Sequence, residues 1–132
     1  MLQHTLKLRI KKMNINNKNK TEFRSLIKKK IKYIQDKMDF YPQKVFVVTT
    51  DQMSDDVKLD EAIDLAYEFY LDGEYFAIRK EIGLSKDRGM KFIEIDYIRA
   101  ELSDKENNKW SVRSDVIYYS EGGFDEIILA EF

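Results

Sequence analysis

The sequence predicts a single α+β domain in the order β-α-β-α-β-β-β-β, a mainly antiparallel sheet with two helices packed on one face. Three observations predict it. Apolar residues recur at three- and four-residue steps in two stretches only, alternation marks most of the rest, and the last sixty or so residues break at polar and glycine turns into four strand-length segments. At 132 residues the chain has the size of one domain, and 43% hydrophobic residues with 13% aromatics suffice for one core. No linker, internal repeat or low-complexity tract divides residues 1–132.

Residues 2–10 set Leu2, His4, Leu6, Leu8 and Ile10 on one face against Gln3, Thr5, Lys7 and Arg9 on the other, the pattern of a half-solvated strand. A polar Asn/Lys loop follows at 13–20. From a cap at Thr21, the residues Phe23, Leu26, Ile27, Ile31, Ile34 and Met38 form the apolar stripe of a helix whose other side carries Arg24, Lys28, Lys29 and Lys32. Tyr41-Pro42 should stop it, because proline disfavours helical geometry in the residue before it. The β-branched run at 44–50 reads as a strand buried on both faces. Ser54, Asp55 and Asp56 are N-cap candidates for a second helix at 58–71, with Leu59, Ala62, Ile63, Ala66, Phe69 and Tyr70 inward and Gly73 closing it. Strands are then expected at 75–82, 90–102, 110–119 and 124–132.

Charge divides the chain unevenly. Residues 1–50 hold thirteen Lys/Arg against three Asp/Glu, for +10, whereas residues 51–132 hold ten against twenty-one, for −11, which together return the net −1. Asymmetry of this kind points to contact with polyanions or oppositely charged partners. There is no cysteine and a single His4, which excludes disulfides, thiolate zinc sites, cysteine nucleophiles and histidine-rich metal centres. No cofactor is expected, and with no stretch near twenty apolar residues a cytosolic location is the default.

Several patterns carry candidate chemistry. Arg88, Gly89, Phe92 and Ile93 match part of an RNA-recognition strand motif, but Met90 and Ile95 replace stacking rings and the element order differs from that fold. Glu94 and Asp96 share one strand face, as a carboxylate-dependent metal nuclease would require, although Ile98 stands where its lysine would be; cross-strand pairing to Arg or Lys is the simpler expectation. Asp104, Glu106, Asn108 and Asp115 follow EF-hand spacing with Lys109 at the obligatory glycine, so a polar hairpin fits better.

Two surfaces remain. Nine carboxylates fall between Asp51 and Glu74, and Asp60, Asp64 and Glu68 with Tyr67 and Tyr70 make an acidic, aromatic candidate face for a protein or nucleoprotein partner. Lys7, Arg9, Arg24, Lys28, Lys29 and Lys32 make the alternative, a face for DNA or RNA. Lysine, isoleucine and asparagine supply 37 residues, all with AT-rich codons. In size, codon character and charge density the chain is similar to phage or mobile-element accessory proteins that inhibit host machinery, defence nucleases included. That similarity is one of general character, and the expectation is a small non-enzymatic binding protein.

Overall fold

The computed structural model describes residues 15–38, 44–83 and 90–132. Two helices and six strands follow one another as α1 (Lys20–Met38), β1 (Lys44–Val48), β2 (Val57–Lys58), α2 (Leu59–Leu71), β3 (Phe76–Gly83), β4 (Met90–Asp104), β5 (Lys109–Ser120) and β6 (Gly123–Glu131). One sheet holds the strands in the order β2-β1-β3-β4-β5-β6, with every neighbouring pair antiparallel. The α+β domain read from the sequence is therefore the fold observed. The strand expected at 2–10 and the Tyr41-Pro42 stop lie outside the described residues.

The cap of α1 is Asn19, two residues before the expected Thr21, and the helix starts correspondingly earlier, at Lys20. Asn19 Oδ1 accepts the Glu22 N–H at 2.9 Å while Glu22 Oε1 accepts the Asn19 N–H at 3.3 Å, a reciprocal capping box. Ser54, Asp55 and Asp56 do not cap α2. Residues 57 and 58 pair with β1 instead, so the helix springs directly from Lys58, which makes no side-chain cap. Ser54 is used differently, its Oγ accepting the Val47 N–H and donating to the Asp55 carbonyl, both at 2.9 Å. The far end of α2 closes as its glycine suggests. Gly73 adopts φ 69°, its N–H donates to Tyr70 O at 3.1 Å, and the Glu74 N–H donates to Phe69 O at 2.9 Å.

The helices share one core with the sheet: α1 lies against α2 and β4, and α2 lies against β1 and β3. Phe23, Ile27, Ile31 and Ile34 from α1 meet Ala62, Ile63, Ala66 and Tyr70 from α2 over Val45, Val47, Phe76, Ile78, Ile95 and Tyr97. β1 is buried on both faces, as its unbroken apolar run requires, with Phe46 on the side away from the helices. A bulge in β4 makes the packing possible. Ile78 pairs with Ile98 and Arg79 with Asp96, leaving Tyr97 as the extra residue, so that Ile95, Tyr97 and Ile98 are all buried while Asp96 and Arg99 stay on the opposite face.

Candidate functional site

The two oppositely charged helices lie side by side, and part of their charge is spent between them. Lys28 Nζ sits 2.8 Å from Asp60 Oδ1, and Arg24 Nε 3.5 Å from Asp64 Oδ1. The hydrogen bond and charge of Lys28 hold the Asp60 carboxyl below its ordinary range. Both pairs are solvent-exposed, so each contributes between nothing and about 1 kcal/mol. Their importance is electrostatic: they cancel two of the five acidic-face candidates and two of the basic ones.

Of the other acidic-face candidates, Tyr70 is a core residue and is not available to a partner. Its hydroxyl donates to Ile15 O at 2.6 Å and accepts the Lys18 N–H at 2.7 Å, tying the segment before α1 to α2. Tyr67 is half-buried, with its ring 5.2 Å from Phe23 and 5.8 Å from Tyr70. Of these five candidates only Glu68 is exposed with no ion pair among the described residues. It belongs to a different stripe from Asp60 and Asp64. At 100° per residue, Glu61, Leu65, Glu68 and Asp72 line one side of α2, turned away from α1, and all four are exposed. Leu71 beside them is 58% exposed, and the β1–β2 loop adds exposed Asp51, Met53, Asp55 and Asp56. The four-residue spacing of Asp60, Asp64 and Glu68 drew attention to a row that straddles two surfaces. The outward stripe was legible from Leu65 and Leu71, which fall outside the apolar side of the helix.

The basic candidates separate too. Lys7 and Arg9 lie outside the described residues. Arg24 and Lys28 are engaged by α2, whereas Lys29 and Lys32 are exposed and make no ion pair among the described residues. Lys30 is wholly buried: its Nζ lies 4.2 Å from the centre of the Phe132 ring, with no hydrogen-bond partner, and burial pushes the amine down to about 8. Of the four basic candidates on this amphipathic helix, Lys29 and Lys32 are thus the two left without an ion pair among the described residues.

A third charged site lies on the sheet face away from the helices, and of its extent sequence reading recognised only the pairing of Glu94 and Asp96. Arg79 reaches Asp96 at 2.6 Å and Glu94 at 3.2 Å across the β3–β4 pair. Arg99 reaches Asp115 at 3.3 Å, and Arg113 lies 3.5 Å from Asp115 and 3.1 Å from Glu126. Glu94, Asp96 and Asp115 are buried beneath these guanidinium groups. Burial raises the Glu94 carboxyl, and burial together with a hydrogen bond shared with Glu126 pushes Asp115 up to about 6. The cross-strand pairing expected of Glu94 and Asp96 is what the sheet holds. A nuclease metal would have to displace Arg79 from both, and among the described residues no group of three or more His, Cys, Asp or Glu is arranged to hold a metal.

The remaining motifs resolve into local structure. Phe92 lies on this charged face with its ring stacked 4.3 Å from Tyr119, but Arg88 and Gly89 of the RNA-recognition pattern are outside the described residues. Asp104 caps the β4–β5 hairpin, accepting from Asn107 Nδ2 at 2.8 Å, and Asn108 takes the positive φ of 51° there; the EF-hand spacing is a hairpin turn. No helix among the described residues is long and apolar enough to cross a membrane. Compared with protein-family models, curated proteins and solved structures, the chain matches none.

Proposed function

We propose that this is a small non-enzymatic protein that binds a basic protein or nucleoprotein partner through the outer face of α2. One observation carries the reading: Glu61, Leu65, Glu68 and Asp72 form an exposed acidic and apolar stripe, while the carboxylates facing α1 are already neutralised by Arg24 and Lys28. Carboxylates around exposed leucines suit a groove lined by lysine and arginine, where charge steers encounter and apolar contact holds the complex. A groove built for nucleic acid has that character. We therefore favour an inhibitor of host nucleic-acid or defence machinery, in keeping with a phage or mobile-element origin.

Direct nucleic-acid binding is the second reading, supported by exposed Lys29 and Lys32 on α1. Capture by the tagged full chain from a low-GC bacterial lysate, with and without nuclease, separates the two. The first reading expects a nucleic-acid-processing protein retained after digestion. Loss of every partner on digestion, with binding to duplex DNA or RNA that weakens steeply from 50 to 200 mM salt, would replace it by the second.

A further inference from the structure

We propose that Asp115 and Glu126 share one proton across the β5–β6 pair and that this proton is a latch. With it in place β6 is held to the sheet; without it β6 opens while the rest of the domain stays folded. β6 suits such a role. Among the described residues it pairs with β5 alone, a register shift interrupts that pairing at Ser114 and Asp115, and Phe124, Ile127 and Ile128 are 64%, 50% and 48% exposed. A strand so thinly covered opens at lower cost than the core beside it.

Charge and hydrogen bonding place the proton. Across β3 to β6 the guanidinium groups of Arg79, Arg99 and Arg113 form one network with the carboxyl groups of Glu94, Asp96, Asp115 and Glu126. Three cations face four acids. Asp115 is wholly buried, and both of its guanidinium contacts fall on Oδ2, from Arg99 at 3.3 Å and Arg113 at 3.5 Å. Its Oδ1 is buried and meets no donor. The neighbour to which Asp115 hydrogen-bonds is the Glu126 carboxyl, and two carboxyl groups can bond in this way only while one of them keeps a proton.

The groups around Asp115 oppose one another. Asp96 of β4 disfavours its ionisation, Arg99 of β4 and Arg113 of β5 favour it, and the hydroxyl of Tyr75, just before β3, faces both Arg99 and Asp115. Burial and the Glu126 bond prevail and hold Asp115 at about 6, against an ordinary 3.8. Between those values the closed strand keeps a proton that an open one has lost, so closure weakens as pH rises through about 6. Above that range Asp115 and Glu126 are two carboxylates set against each other, one of them buried. The latch is independent of the acidic face of α2.

Hydrogen–deuterium exchange of the full chain at about pH 5 and about pH 7.5 tests it, each rate corrected for the intrinsic exchange chemistry at that pH. Protection of β6 should fall roughly tenfold from the lower pH to the higher while α1 and α2 keep theirs. Asp115→Asn, whose amide stands in for the protonated acid, should hold β6 at the higher pH within about twofold of its wild-type protection at the lower. Glu126→Gln should flatten the pH dependence as well, since its amide donates to Asp115 without a titrating proton. Where Asp115→Asn also loses the protection of α1 and α2, Glu126→Gln decides. Wild-type β6 protection that ignores pH, or a slope that survives in Glu126→Gln, would overturn the proposal. So would carboxyl carbon resonances of Asp115 and Glu126 that titrate as they do in an unfolded peptide.

Discussion

Replacing Lys30 by methionine is expected to stabilise the protein by about 2 kcal/mol at pH 7, although the substitution removes a charge from an otherwise charge-rich helix. Lys30 is fully buried and its ammonium meets no acceptor. An amine held at about 8 instead of 10.5 disfavours the folded protein by about 3 kcal/mol once both states are protonated. Methionine keeps nearly the same volume and removes that cost, set against a cation–π contact with Phe132 of about 1–2 kcal/mol. The pH dependence fixes the cause. Between about 8 and 10.5 the unfolded chain binds the proton and the folded chain does not, so wild-type stability from this group rises with pH across that window. The advantage of Lys30→Met should be full below pH 8 and shrink toward pH 10, as read by urea denaturation of both proteins at each pH. A destabilised variant, or a difference that ignores pH, would show that the amine is solvated or paired.

The second large effect has the opposite sign. Arg79→Met should destabilise by about 3–5 kcal/mol, because it strips the cation from two carboxylates that are themselves buried. Glu94 and Asp96 are 5% and 1% exposed, and Arg79 meets both. Lowering the pH should narrow the deficit, since a carboxyl already raised by burial, as Glu94 is, takes up a proton more readily in the folded than in the unfolded chain. Arg79→Met combined with Glu94→Gln and Asp96→Asn should recover most of the loss. If the single variant costs under about 1 kcal/mol, the network is a surface one and contributes little.

These two residues also mark where sequence reading stopped. Element type was legible because periodicity is local: the three- and four-step ladder from Phe23 to Ile34 and the unbroken run at β1 need no partner to be recognised. Lys30 was not legible. It sits at the border of that ladder, and a lysine there reads as a solvated rim unless the depth of the core beneath it is known. β2 was missed because two residues carry no period, and its pairing with β1 moved the start of α2 past the expected caps. Glu94 and Asp96 were legible as one face of a strand, but the place of Arg99 beside them depends on the bulge at Tyr97, which sets Asp96 and Arg99 on one face despite their odd spacing, and nothing local announces it. Charge posed the sharpest limit. Composition told that the first half is basic and the next helix acidic, but whether the helices neutralise each other is a matter of packing, and the answer divides α2 into a paired side and a free one.

That division is most directly tested by comparing two variants of α2 for retention of a nuclease-resistant partner in quantitative capture. Glu61→Lys with Glu68→Lys and Asp72→Lys changes the outward stripe, while Asp60→Asn with Asp64→Asn changes the side facing α1. We expect the outward variant to lose at least about tenfold in affinity and the α1-facing variant to bind within about twofold of wild type. Undiminished binding by the outward variant, or loss confined to the α1-facing one, would contradict the assignment of the free face of α2 as the binding surface.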